Sequence, residues 1–275
     1  MSTGAIGVDI GGSGIKAGVV DTRRGELVGE RLRVPTPKPA VPETVVAATA
    51  ELIADLGPDA GPVGIGVPGA IVGGRVMTAA NIDESWLGVQ ASEAFSAAVG
   101  RPCVVLNDAD AAGLAEMRFG EGRRAKGVVL VLTLGTGIGS ALFVDGQLVP
   151  STELGHIEIR GKDGERRASA GARERKGLSF ARWAPLLNEY LHRVDQLVWP
   201  DLVILGGGIS RKADKFLPLL DVRPPVVAAA LRNQAGIVGA AVRARELLAA
   251  PRRRTARRTT RGATRAAPGR AGSAR

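Results

Sequence analysis

Residues 9–21 (DIGGSGIKAGVVD) and 133–145 (TLGTGIGSALFVD) carry the same pattern: the end of an apolar run, a glycine turn, a second apolar run and a closing Asp. Gly11 falls on Gly135, Ala17 on Ala141, Val20 on Val144 and Asp21 on Asp145. After a gap of three residues, Gly25-Glu26-Leu27-Val28 falls on Gly146-Gln147-Leu148-Val149. An apolar run broken by a short glycine turn reads as a hairpin, and a third, alternating run extends it to a β-meander. Two copies in one chain predict a duplicated architecture in which each half opens with three antiparallel strands.

Apolar periodicity fills in the remainder. Strands are predicted at Val63–Val67, Cys103–Asn107, Leu202–Leu205 and Val226–Ala229. Helices are predicted at Glu43–Leu56, Ala109–Phe119, Leu178–Val198, Lys212–Leu220 and Gln234–Leu248, with the charged stretch Arg160–Lys176 as a loop. Helices interleaved with strands give an α/β class, which 38 glycines and only 3% aromatic residues also favour.

The formal net charge of +10 suggests a polyanionic partner. Its distribution is uneven: residues 251–275 hold nine Arg and no acid, leaving 28 basic and 27 acidic side chains in residues 1–250. The nearly neutral body argues against a sequence-specific nucleic-acid-binding fold, and the Arg-rich tail is expected to be disordered, an auxiliary contact for a polyanion. Cys103 is the one cysteine, so no internal disulfide forms; with only His156 and His192 beside it, a Cys/His zinc site lacks ligands. No secretory leader and no membrane-length apolar run is present, which points to a cytoplasmic setting without membrane contact.

Glycine turns let backbone N–H groups wrap an anion, because no Cβ blocks the approach. Gly11, Gly12 and Gly14 meet that need, with Ser13 and Lys16 as further donors; Gly135, Thr136, Gly137 and Gly139 form the matching turn. Two such turns across a cleft suit successive phosphates of one chain. Asp9, just before the first turn, is repelled by phosphate unless Mg2+ lies between them, or else it caps its own turn. Asn107-Asp108 ends a strand and opens a helix, a place for an active-site pair and equally for an N-cap. Glu153 and His156 sit three residues apart and offer acceptor and donor to sugar hydroxyls, or to their own loop. Gly206-Gly207-Gly208 after a strand admits a flat or phosphorylated group to the chain.

Taken together, these segments resemble the ROK family of sugar kinases, built on the actin-like ATPase fold. The resemblance rests on DIGGSGIK at Asp9–Lys16, GVPGAIV at Gly66–Val72, NDADAA at Asn107–Ala112, LGTGIG at Leu134–Gly139, ELGH at Glu153–His156 and ILGGGIS at Ile204–Ser210. TAANIDESWLG at Thr78–Gly88, LVPSTELGHIEI at Leu148–Ile159 and SRKADKFLP at Ser210–Pro218 point more narrowly to its actinobacterial-type polyphosphate glucokinases. The resemblance implies a two-lobed α/β fold with a cleft between lobes: residues 1–108 with 234–250 in one lobe, 109–233 in the other, and 251–275 as the tail. It implies phosphorylation of the glucose 6-hydroxyl from inorganic polyphosphate, with ATP as a second or alternative donor, by a homodimer. Asp108 becomes the general base, and Asn107, Glu153, His156 and Asn81 the sugar ligands. Asp9 becomes the Mg2+ ligand, through water, and Gly206–Gly208 line a nucleotide site. Sugar-responsive regulators of the family carry an N-terminal helix-turn-helix, whereas here the first phosphate motif starts at Asp9. Many members also hold zinc through cysteines after the Gly-His dipeptide, and Ile157–Gly177 contains none, so no zinc is expected. That segment instead carries Arg166 and Arg167, which with Lys212 and Lys215 are read as a basic track for a long polyphosphate.

Overall fold

The computed structural model describes residues 4–57, 61–79 and 82–249. In the first half, β1 (Gly4–Gly11), β2 (Gly14–Asp21) and β3 (Glu26–Val34) form the predicted meander. They are followed by α1 (Pro42–Ala54), β4 (Val63–Val67), the small hairpin β5 (Ile71–Val72) and β6 (Arg75–Val76), α2 (Ala91–Val99) and β7 (Cys103–Asn107). The second half runs α3 (Asp108–Phe119), β8 (Val128–Leu134), β9 (Ile138–Val144), β10 (Gln147–Val149), the hairpin β11 (Glu158–Ile159) and β12 (Lys162–Asp163), and α4 (Glu165–Ala168). It continues through α5 (Ala170–Arg175), α6 (Phe180–Val198), β13 (Leu202–Gly206), β14 (Val226–Ala228) and α7 (Ala235–Ala249).

The duplication read from the sequence is a duplication of topology. One sheet has the order β3-β2-β1-β4-β7 and the other β10-β9-β8-β13-β14. In each, the meander pairs antiparallel and the last two strands add parallel to its first strand. The parallel strands need crossovers; α1, α2 and α6 lie in three of them, and the β13–β14 crossover holds only short 3-10 turns.

Each sheet is covered on its outer face by its own helices. Val45, Leu52 and Ile53 of α1 and Phe95 of α2 pack on Ile6, Val8 and Ile65. On the other sheet, Trp183, Leu187, Tyr190, Leu191 and Val194 of α6 recur at helical spacing and pack on Leu130, Leu132 and Val203. Ser179 caps α6 by accepting from the Arg182 N–H at 3.3 Å.

The inner faces share α3 and α7. Ile237, Val238 and Ala241 of α7 close over Ala5 and Val20, together with Ala112 and Ala115 of α3, while Leu114 and Met117 of α3 pack against Val129, Val131 and Phe143 of the second sheet. The approach is close enough for backbone to touch backbone. A Cβ on Gly7 would collide with the Ile237 carbonyl, so α7 sits on β1 only because no side chain intervenes.

Two sequence expectations are revised. Arg160–Lys176 is not a loop: Ala168, Ala170 and Ala172 are buried and Ser169 caps α5 at 3.0 Å, giving a hairpin and two short helices. Lys212–Leu220 does not form an α-helix; 3-10 turns cover Gly208–Lys215 and Leu217–Leu219, with Lys212 in a non-helical conformation. The tail at 251–275 and Asn81 lie outside the described residues.

Candidate active site

A cleft of about 330 Å3 opens between the two sheets. The ends of β1 and β8, the first part of the first glycine turn, the whole of the second and the start of α3 all reach it, because equivalent strand ends of the duplicated sheets face each other there. Asp9, Gly11, Gly12, Lys16, Asn107, Asp108, Gly135, Thr136, Gly137, Gly139, Glu153, His156 and Gly207 line it, so residues far apart in sequence converge as anticipated. Gly206 and Gly208 line an adjoining opening. Ser13 and Gly14 do not line it, and the Arg33 guanidinium donates to the Ser13 carbonyl at 3.2 Å.

Asp9 and Lys16 stand directly opposite each other on β1 and β2, and their side chains meet at 2.7 Å. A carboxylate so placed satisfies Mg2+ chemistry, which takes one or two protein carboxylates plus phosphate oxygens and water. Among the described residues there is no cluster of three or more His, Cys, Asp or Glu able to hold a metal by itself. One carboxylate at the cleft is a donor set that fits a cation carried largely by phosphates rather than by the protein.

Asn107 proves to be the N-cap of α3. Its Oδ1 accepts from the Asp110 N–H at 2.9 Å and its Nδ2 donates to the Gly69 carbonyl at 3.0 Å. The capping alternative therefore holds geometrically, and the cap is what aims Asp108 into the cleft from the first turn. Burial first, and then the charge of neighbouring Asp9, push the Asp108 carboxyl up from 3.8 to about 7 against the opposing hydrogen bond from the Ala109 N–H at 2.8 Å. A carboxyl poised near neutrality is the form a general base takes.

Glu153 and His156 face the same space. Nε2 of His156 lies 3.5 Å from Glu153, and its Nδ1 lies 3.4 Å from Asp163 on β12. Oε1 of Glu153 is buried without a hydrogen-bond partner, which costs on the order of 1–3 kcal/mol. Burial raises the Glu153 carboxyl, and His156 partly offsets this.

The segment after His156 is held by hydrogen bonds to the second glycine turn and to α6. Glu165 accepts from the Ile138 N–H at 3.0 Å, the Trp183 indole donates to the Ala168 carbonyl at 3.0 Å, and the Ser169 hydroxyl donates to the Thr136 carbonyl at 3.1 Å. The Gly171 N–H adds a bond to the Gly135 carbonyl at 2.8 Å. The basic segment thus supports the second glycine turn from beneath. Arg166, Arg167, Lys212 and Lys215 do not line the cleft. Arg167 is committed to Glu189 at 3.0 Å, and Arg166 lies 3.8 Å from Asp163.

Three carboxylates escaped the sequence reading. Glu165 lines the cleft beside Glu153 and His156. Asp110, 2% exposed, accepts from the Ser151 N–H at 2.8 Å; burial raises its carboxyl to about 7. The Ser151 hydroxyl in turn joins Ile71 of β5 at 3.0 Å, so Asp110 braces the segment that delivers Glu153. Glu116 binds backbone on the far side of α3. The NDADAA motif contained Asp110, but nothing in its spacing distinguished a brace from a ligand.

A cleft of this composition between duplicated sheets defines a sugar kinase of the actin-like class, and the chain belongs to the ROK family, whose model matches residues 5–176. The chain is 49% identical over 237 residues to a polyphosphate glucokinase of Mycobacterium tuberculosis, covering 86% of this chain and 89% of that protein. Among solved structures it is similar to the inorganic polyphosphate/ATP-glucomannokinase of Arthrobacter sp. strain KM, with 54% identity, a TM-score of 0.85 and coverage of 88% and 98%. A ROK family glucokinase from Streptomyces griseus, in complex with glucose and AMPPNP, matches with 29% identity, a TM-score of 0.76 and coverage of 88% and 99%.

Proposed function

We propose that the chain transfers the terminal phosphoryl group of inorganic polyphosphate to the 6-hydroxyl of glucose, with ATP as a second donor. The observation that carries the reading is Asp108, held by the Asn107 cap between two glycine turns and the Glu153/His156 pair. The names of the Mycobacterium and Arthrobacter relatives support the donor, and that of the Streptomyces griseus glucokinase supports the sugar and the nucleotide.

In this mechanism Glu153, His156 and Glu165 hold the sugar, and Asp108 takes the proton of the 6-hydroxyl. As the oxygen attacks the terminal phosphorus, the bond from that phosphorus to the bridging oxygen breaks. The products are glucose 6-phosphate and a polyphosphate one unit shorter. Such transfer needs positioning and charge compensation more than covalent help. Gly11, Gly12 and Gly135–Gly139 cradle the phosphates, Lys16 adds positive charge, and Mg2+ at Asp9 neutralises charge on the donor when bound. Gly206–Gly208 border the space an adenosine would take. The two sheets act as lobes, 1–108 with 234–250 and 109–233, whose closure excludes water. The proposal extends to a cytoplasmic homodimer on the resemblance set out above.

The deciding assay is glucose 6-phosphate formation from purified polyphosphate with nucleotide rigorously removed. Sustained turnover is expected; formation only on adding ATP overturns the donor assignment. A second result follows from Asp108 at about 7. The base acts ionised, so kcat/KM for glucose should fall about tenfold per pH unit below pH 7 and level off above it. A plateau extending below pH 5 would contradict the assignment of the base.

A further inference from the structure

The cleft continues into a second opening of about 170 Å3, which shares Asp9, Lys16 and Gly207 with the first and is walled by Gly208, Arg232 and Asn233. Arg232 adopts φ 51°, the left-handed backbone that L side chains avoid at a cost of roughly 1–2 kcal/mol. It is exposed, and its guanidinium makes no ion pair or hydrogen bond among the described residues. The turn that imposes this conformation is clamped from the interior. Glu116, 1% exposed, accepts from the N–H groups of Leu231 at 2.7 Å, Ala230 at 3.1 Å and Glu121 at 3.2 Å. Three backbone donors satisfy this carboxylate where a buried charge otherwise needs a cation. Glu116 lies on the same helix as Asp108, about two turns on, so α3 carries the base at one end and the clamp further along.

The charges around the opening leave Arg232 uncompensated. Asp9 is paired with Lys16, Glu116 is saturated by backbone, and Asp108, the remaining acid lining the space among the described residues, makes no ion pair with Arg232. Ala235 and Gly236, the first residues of α7, line it too, so the positive end of a 15-residue helix opens there.

The geometry points to Arg232 as the contact for distal phosphates of a polyphosphate donor, those beyond the phosphates at the two glycine turns, with Glu116 as the positioning residue for its turn. The inference rests on the donor reading above. A guanidinium suits this task because it meets phosphate oxygens bidentately, and a polyanion keeps presenting them where a nucleotide presents neutral ribose and base.

Arg232→Gly tests it without risk to folding, since glycine accepts the left-handed backbone. With long-chain polyphosphate, KM should rise about tenfold, the scale of one charge-assisted phosphate contact, while kcat and the KM for glucose stay within about twofold. The slope of log kcat/KM against log salt should become shallower by about one. Tripolyphosphate, used as donor or competitive inhibitor, should be affected less than about twofold, and Arg232→Lys should restore most of the long-chain affinity. An unchanged long-chain KM and salt slope overturns the assignment. Equal losses with tripolyphosphate overturn it as well, because Arg232 then acts on the phosphates at the glycine turns. The wild-type protein is assayed first with nucleotide-free polyphosphate: no product there refutes the donor reading itself, and this inference with it.

Discussion

Replacing Asp108 with Asn should slow turnover by at least about a thousandfold while leaving glucose affinity nearly intact. The amide keeps the size and can still accept from the Ala109 N–H, but it cannot take the proton of the attacking hydroxyl. The same change should stabilise the fold. The Asp108 carboxyl is raised from 3.8 to about 7, so its ionised form is disfavoured in the folded state. Stability from this group is fully present below about pH 4 and is lost as pH rises through about 7. Asn removes that loss. Melting of the variant against wild type should therefore show little difference near pH 4 and at least ~1 kcal/mol, roughly 2–4 °C in Tm, at pH 8. Turnover near the wild-type rate removes Asp108 from the mechanism; equal Tm values at pH 8 remove the strain.

Gly155→Ala should be nearly as damaging without touching a reacting group. Gly155 is buried in the 3-10 turn between Glu153 and His156, and a Cβ there would run into the Ile138 carbonyl. That neighbour is backbone and cannot swing aside. Ile138 also follows the second glycine turn and donates its N–H to Glu165. One methyl therefore displaces sugar ligands and phosphate cradle together. A fall of about a hundredfold in kcat/KM for glucose is expected, the scale of an ångström of misplacement. It should come with about 1–3 kcal/mol of lost stability, read from a denaturant melt. A variant with wild-type kinetics and stability would show that the turn and β9 are not in register as described.

The meanders, β4, β7, α3 and α6 were legible in the sequence because their signals are local: apolar runs, glycine turns and capping residues. α2 was not. Its sequence ASEAFSAAV buries only Ala91 and Phe95, too thin a stripe to read without the sheet beneath it. The helices α4 and α5 were hidden for a related reason. Their buried faces are alanines, and their charges dominated the reading, although Arg167 is spent on Glu189 rather than offered to a ligand. In the site, Asp9, Asn107, Asp108 and the glycines of the second turn reach one cleft because they lie at or beside strand ends of two matched sheets, whereas Ser13, Gly14 and the four basic residues read as a track do not line it. Glu165, Asp110 and Glu116 were invisible because an isolated carboxylate has no periodicity, and only tertiary structure decides whether it meets a sugar, a serine N–H or a turn. Asn107 shows that two readings of one residue need not compete, since the cap is the means by which Asp108 is aimed.

The seating of α7 on β1 has a consequence for how the protein is made. Synthesis proceeds at roughly 5–20 residues per second. By the time residues 235–249 emerge, every strand of both sheets has already been produced. The opening sheet must wait seconds for the helix that completes the cover over Ala5 and Val20, which until then only α3 can share. The part translated first is thus completed last.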